Sequence, residues 1–441
     1  MKAAYPVSPA PAGDPYRATR FLYIVEAALE YFINLLLTGA YLAKVAGAIG
    51  MSGSAIGIVT SIVSLGTSFQ FLAVFLSHRT PVKRWVTVWH TVNQLLLACV
   101  WLTPLFPVGT GTKAALFVGF LLVGYAINHV INSPKISWYM AAVPDGERGR
   151  FTAKKEIVSL VGGTAFTLLL GNVFDRLEAA GKQQTAFLVG AVTMLVLALL
   201  HTLTLLCSRE KTAERRPAER AGRELSGLLR NRRLVRVLLI GMLYSAANGL
   251  VFSFYGTYQV NELGFSMSFI ALQGALHTAV RCVSSVLLGR YADRHSFAAM
   301  LRVSVGMLFL GELVMVFTVP ANGRVLYTVY HAVFLAVFGA GYGNGMMNLT
   351  YDTVAKEQRM SAFALYNCAS GLVGFLASLP GSLIVSAIQE NGNRLLGHPV
   401  YAQQLLSLIG AVLIGVQWLL LWQGFREASE EKRHQKPNEW K

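Results

Sequence analysis

Apolar positions in this chain come in long unbroken blocks, not in the narrow stripes of soluble helices or the alternation of half-buried strands. A helix needs about 20 apolar residues to cross the hydrocarbon of a bilayer. Twelve blocks meet that length: 21–46, 52–77, 85–106, 114–142, 156–174 and 184–207, then 234–260, 267–288, 302–320, 325–349, 361–388 and 401–425. Between the sixth and the seventh runs a charged stretch, Ser208 to Arg233. The pattern predicts an all-α polytopic membrane protein of two six-helix halves. The expected organisation is an N-terminal segment 1–20, a bundle 21–207, a linker 208–233, a bundle 234–425 and a tail 426–441.

Composition agrees. The 441 residues are 54% hydrophobic and only 14% charged, where a soluble domain carries about 25% charged residues. The net charge of +16 raises the question of a nucleic-acid partner, and the location of the charges answers it. If the N-terminus is cytoplasmic, 30 of the 38 Lys and Arg residues fall on the cytoplasmic side and six on the other. The remaining two, Lys135 and Arg281, lie within spans. This is the positive-inside bias, so both termini are expected in the cytoplasm and no nucleic-acid partner is implied. The first twenty residues lack the apolar core of a cleavable signal, and the first span is expected to serve as its own insertion signal. Cys99, Cys207, Cys282 and Cys368 show no C-x-x-C spacing and lie in or beside apolar blocks, as small hydrophobic side chains do. No G-x-S-x-G, H-E-x-x-H or P-loop motif is present, so neither an enzyme nor a metal or organic cofactor is expected.

Three short motifs add a resemblance. "GRYADRHS", Gly289 to Ser296, stands between spans eight and nine. "VPDGERGRFTAKK", Val143 to Lys155, precedes span five, and a fainter echo, "EQRMSAFAL", Glu357 to Leu365, precedes span eleven. With the six-plus-six layout, these resemble the major facilitator superfamily, whose G-x-x-x-D-R loop is matched by Gly289, Asp293 and Arg294. The resemblance implies two pseudo-symmetric six-helix bundles and a monomeric secondary transporter of the cytoplasmic membrane, driven by a proton gradient. It also implies gating roles for Gly289, Asp293 and Arg294, and for Arg148 and Arg150 of the P-x-x-x-R-G-R form. The corresponding first-half loop, "VFLSHRTPVKRW", keeps Arg79, Lys83 and Arg84 but has Val74 and His78 where the glycine and aspartate belong. Span five, "IVSLVGGTAFTLLLGNVF", lacks the proline that drug–proton antiporters of the family carry there.

Polar residues inside spans are the candidate chemistry, because an ionisable group near the bilayer centre costs at least about 2.5–3.5 kcal/mol. Glu26, Glu30 and Asn34 form one stripe at i, i+4 and i+8. Two carboxylates one turn apart repel, which favours a proton on one of them. Glu30 and Glu26 are therefore the expected proton-coupling residues. The resemblance places spans one, four, seven and ten around a central cavity. Its expected lining is Asn34, Asn128, His129, Asn132, Tyr244, Asn248, Tyr255, Tyr342 and Asn344, whose amides and aromatic faces suit a polar organic solute. Arg281, four residues from His277 on span eight, is expected to pair with Glu26, Glu30 or a substrate carboxylate. Lys135 is expected to snorkel to the cytoplasmic interface, and Glu312 to pair locally. The glycines of span ten (Gly339, Gly341, Gly343, Gly345) suit close helix packing.

The expected function is proton-coupled symport of a small organic solute, sugar-like or another polar metabolite. Export of an amphipathic compound by proton antiport uses the same features, and a non-transporting sensor on the same fold is a third reading.

Overall fold

The computed structural model describes residues 14–69, 82–144, 147–211, 227–355, 358–395 and 397–424. Apart from one two-residue hairpin, Arg394–Leu395 against His398–Pro399, the regular structure among these residues is helical. The N-terminal half contains α1 (Arg17–Leu36), α2 (Gly39–Ala48), α3 (Gly53–Thr60), α4 (Ile62–Ser68), α5 (Val82–Leu102), α6 (Thr110–Ala141), α7 (Arg148–Ala179) and α8 (Gln183–Cys207). The C-terminal half contains α9 (Arg232–Glu262), α10 (Met267–Arg294), α11 (Phe297–Val316), α12 (Gly323–Asp352), α13 (Arg359–Glu390) and α14 (Ala402–Gly424). Ten of these helices are long and apolar enough to cross a membrane among the described residues, and the bent pair α1–α2 makes an eleventh. The 47° bend falls at Leu37–Thr38, and Gly39 takes the left-handed φ of +56° that a side chain would resist. The second predicted span begins as α3 and α4. Its continuation, with Arg79 of the first-half loop, lies outside the described residues, as do residues 212–226 of the linker and the tail.

Span ends differ from the apolar blocks in an instructive way. The block 156–174 is the core of a 32-residue helix that starts at Arg148. Arg150, Lys154 and Glu156 are exposed on its first turns, because intrahelical hydrogen bonding does not stop where hydrocarbon stops. Arg148 and Arg150 thus open a helix and do not form a loop. Likewise the Gly289–Arg294 motif is the last turn and a half of α10. Gly289 is inside the helix, while Asp293 and Arg294 are exposed.

Each half packs its own core, one around Leu36, Leu42, Trp101 and Phe117 and the other around Leu234, Leu301, Tyr342 and Ile414, with Tyr255, Tyr258 and Tyr330 beyond it. Glycines set the closest helix approaches. A Cβ on Gly249 of α9 would lie 1.7 Å from the Gly374 carbonyl oxygen of α13. The span-ten glycines act partly as expected: Gly341 and Gly345 press α12 onto Ser304 and Leu301 of α11, whereas Gly343 faces open space.

Among the described residues, contacts between the halves concentrate at mid-depth and on the face remote from Arg17, called distal below. Gly256 of α9 lies on the Gly39 carbonyl, and Gly57 of α3 faces the Phe254 ring. Ser61 and Ser378 share a hydrogen bond of 2.8 Å. Thr67 and Ser68 of α4 donate to the carbonyls of Asn367 and Cys368. Asp175, near the end of α7, accepts from the backbone N–H groups of Met267 (2.9 Å) and Ser268 (2.8 Å). A carboxylate from one half thereby caps the first turn of α10 in the other, where free N–H groups and the helix dipole favour negative charge. Asp175→Asn keeps the shape but gives up the charge and one acceptor. It is expected to weaken the distal seal by about 1–2 kcal/mol, roughly a tenfold shift between conformers. Spin-label distances between Lys182→Cys and Ala321→Cys, on exposed distal loops of the two halves, should widen in population. An unchanged distribution would show that the cap carries no part of the seal.

Candidate functional site

α1 carries Glu26 and Glu30 inward, and three other helices of the same half close on them. Lys135 of α6 places its Nζ 2.7 Å from Glu26 Oε1 and 2.6 Å from Glu30 Oε2. His90 of α5 places Nε2 3.0 Å from that ammonium and 3.7 Å from Glu30 Oε1. His201 of α8 places Nε2 2.9 Å from Glu26 Oε1, and the two imidazole rings lie 4.4 Å apart. Glu26, Lys135, His90 and His201 are each 1% exposed or less, whereas Glu30 is 25% exposed. Four helices thus build one cluster, and Glu30 is its member open to solvent.

The hydrogen-bond directions follow from the partners. The Lys135 ammonium only donates, so His90 Nε2 accepts from it and the ring proton sits on Nδ1. Gln94 faces that Nδ1 at 3.4 Å with its amide nitrogen, and its Oε1 has no partner. Turning the amide by 180°, which exchanges two atoms of nearly equal size, satisfies both groups. His201 donates from Nε2 to Glu26, and its buried Nδ1 has no partner, which fits the neutral ring. With both imidazoles neutral, one ammonium faces two carboxylates, and the cluster is one proton short of neutrality. Donor atoms of Glu26, Glu30, His90 and His201 lie within 4.8 Å of one another, as a metal site requires. The Lys135 ammonium stands among them, in the place a cation would take.

This arrangement corrects two expectations. Lys135 does not snorkel: its chain is buried and its charge neutralises carboxylates. Arg281 does not reach Glu26 or Glu30. It sits half-buried on α10, beside Gly339 and within electrostatic range of Tyr31 on α1, and makes no ion pair among the described residues. Lys135 has taken the role because α6 packs within the same half as α1, while α10 belongs to the other half.

The remaining expected residues fall into groups. Asn34 is exposed and accepts from the Tyr125 hydroxyl at 3.1 Å. Asn128 and Asn132 are half-buried one turn apart, and Asn128 Oδ1 has no partner among the described residues. His129 packs against Gly66 of α4. Tyr244 and Asn248 are half-buried on α9. The Tyr244 ring packs at a tilt, 4.4 Å from that of Tyr342, whose hydroxyl accepts from Gln417, so Tyr342 belongs to a buried aromatic cluster. Tyr255 is also buried and turns to Glu312 on α11. Asn344 is exposed beside the open Gly343. Sequence reasoning misses His90 and His201, although each is an ionisable residue inside an apolar block.

Comparison with known proteins places this geometry. The sequence profile of the Major Facilitator Superfamily matches residues 21–378. Among solved structures, a point mutant of the nucleoside transporter NupG aligns over 92% of this chain and 100% of its own at 15% identity and a TM-score of 0.69. A D-xylose-proton symporter aligns over 92% and 97% at 15% identity and a TM-score of 0.70. A bacterial homolog of the human lysosomal transporter Spinster, inward-facing and unoccupied, aligns over 94% and 98% at 13% identity and a TM-score of 0.65. A search of curated proteins found no match. Two helical halves, sealed on one face and matched by the family profile over most of the length, make the chain a multi-pass membrane transporter of the major facilitator superfamily.

Proposed function

We propose that this transporter moves a small polar organic solute across the cytoplasmic membrane by proton-coupled symport, with Glu30 taking up and releasing the proton. The observation that carries this reading is the bridge from Lys135 to both Glu26 and Glu30, with Glu30 the one partly exposed partner. A proton on Glu30 removes its attraction for Lys135 and leaves the ammonium to Glu26. In a low-dielectric interior this exchange of partners changes the energy of the α1–α6 contact by several kcal/mol, enough to bias two halves that rock between states of similar energy. Glu26 and His90 hold the ammonium in place throughout, and His201 holds Glu26. His90 and Glu26 are positioning residues in this scheme.

The solute site lies between the halves, with Asn34, Asn128 and Asn132 on one side and Tyr244, Asn248 and Arg281 on the other. Amide groups and a half-buried guanidinium suit a solute rich in hydroxyl or carbonyl oxygen. Proteins of similar fold include a nucleoside transporter and a xylose–proton symporter, whose named solutes have that chemistry. The charge bias of the loops assigns the face of Arg17 to the cytoplasm. The sealed distal face is then external, and this reading makes the conformation an inward-facing state of a monomer.

The test is flux into proteoliposomes from a mixed metabolite pool under an imposed proton gradient. Wild type should accumulate one solute, and Glu30→Gln should exchange that solute without accumulating it. Equal accumulation by both would make the cluster structural. Accumulation only under the reversed gradient would replace symport with antiport export, and binding without flux would favour a sensor.

A further inference from the structure

The C-terminal half contains a second buried carboxylate that the scheme above leaves unused. Glu312 is 0% exposed, one turn before the distal end of α11. No Lys, Arg or His stands within ion-pair distance of it among the described residues. Its oxygens face hydroxyls instead: Tyr255 of α9 at 3.4 and 3.3 Å, Tyr330 of α12 at 3.3 Å, and Ser407 of α14, which is itself 3.4 Å from the Tyr255 oxygen. A hydroxyl donating to an ionised carboxylate closes to about 2.5–2.7 Å. At 3.3–3.4 Å these hydroxyls do not make the short contacts that would stabilise a charge there, and a carboxylate so deeply buried with no cationic partner takes a proton before it tolerates the charge.

The setting connects this group to the distal seal. Both tyrosines lie where their helices depart from regular geometry. Tyr255 follows a 3-10 turn, Phe252–Phe254, and leads into a π turn, Tyr258–Glu262. Tyr330 opens the π turn Tyr330–Leu335 of α12. Such turns are rare and often mark functional sites. The residues flanking Tyr255 are the seal: Phe254 meets Gly57, and Gly256 rests on the Gly39 carbonyl, where a Cβ would lie 2.5 Å from the oxygen. The other titratable groups near Glu312 are engaged elsewhere. Tyr327 lies beside Tyr255 and Tyr330, Tyr244 is farther along α9, His331 stacks on Tyr327, and His277 of α10 is bonded to the His331 carbonyl at 2.9 Å.

We propose that Glu312 is a second proton-binding site, occupied while the distal face is sealed, and that loss of this proton draws Tyr255 and Tyr330 inward and pulls the Tyr255–Thr257 segment off α2. Ionisation shortens the hydroxyl contacts from 3.3–3.4 Å to about 2.5–2.7 Å, and Gly256 moves with its neighbour. The proposal shares with the Glu30 reading only the alternation of the two halves.

Infrared difference spectra between acidic and alkaline buffer test it on the full chain in lipid nanodiscs. Wild type should show the carbonyl stretch of a protonated carboxylic acid at neutral pH. Glu312→Gln should lose that band, Glu30→Gln should keep it, and Tyr330→Phe should move it. Superimposable spectra of wild type and Glu312→Gln would overturn the site. If Glu312→Gln does not fold, a band that stays fixed in Tyr330→Phe overturns it equally. For the seal, the Lys182→Cys and Ala321→Cys label pair, in a chain with its four cysteines replaced by serine, should widen in alkaline buffer only when Glu312 is present. Widening that persists in Glu312→Gln would overturn the link to gating. Loss of the Glu30 coupling with retention of the Glu312 band would separate the two proposals.

Discussion

Lys135→Met is expected to destabilise the N-terminal half by about 3–5 kcal/mol, because removing one partner of a buried ion pair leaves the other charge uncompensated. Here two carboxylates are stranded. Glu26 retains His201 as its donor and has a buried Oε2 with no partner, and Glu30 retains only the 3.7 Å approach of His90. The methionine fills the aliphatic volume, so the loss reports charge and not a cavity. Thermal unfolding of purified protein in detergent should show a large fall in midpoint and early aggregation. Adding Glu26→Gln to Lys135→Met removes the buried charge that the first change exposes and should restore most of the stability. A Lys135→Met protein that melts with wild type would refute the cluster as described.

Gly57→Trp is expected to hold the transporter open on its distal face. Even a Cβ at Gly57 would sit 1.9 Å from Cε1 of Phe254 in the other half, so no side chain fits unless the ring moves. Phe254 is itself buried, with Gly381 of α13 close behind it, and has little room to yield. Overpacking of a close interface costs on the order of 3 kcal/mol, which shifts a two-state equilibrium roughly a hundredfold. The strain is relieved when α3 and α9 part. The Lys182→Cys and Ala321→Cys label pair should then show the wide distance as the dominant population, and net solute accumulation should fall at least tenfold while the protein stays folded. A narrow distribution with normal flux would show that Gly57 and Phe254 do not form the seal. Gly249→Ala makes the contrast: its Cβ would press on the Gly374 carbonyl within one half, so it should lower stability without opening the distal face.

Much of the fold was legible because membrane insertion is read locally. The blocks around Trp101, Tyr125 and Leu197 are helical and buried for reasons contained in their own composition. The i, i+4 stripe of Glu26, Glu30 and Asn34 needed only helical geometry. The extent of α7 and α10 was not legible, since charged first and last turns look like loops when only hydropathy is counted. That Lys135 and not Arg281 would meet Glu26 and Glu30 was not legible either, because one ionisable residue on a span looks like another. Asp175 carries no local signal of its contact with the other half. Its role as a cap depends on the N-terminus of α10, more than 90 residues later, arriving beside it.

Sequence alone determined the membrane-spanning, all-helical character, the division into two halves, the charge asymmetry of the loops and the presence of costly polar groups within the spans. Each follows from the free energy of single segments in lipid or water, which depends on composition and helical period. Tertiary structure decided which of those polar groups meet. Glu26, Glu30, His90, Lys135 and His201 come from four helices, and Glu312 gathers hydroxyls from three others. Coulomb and hydrogen-bond energies fall away within a few ångströms, so a partner is defined by the packing of the helices and not by distance along the chain.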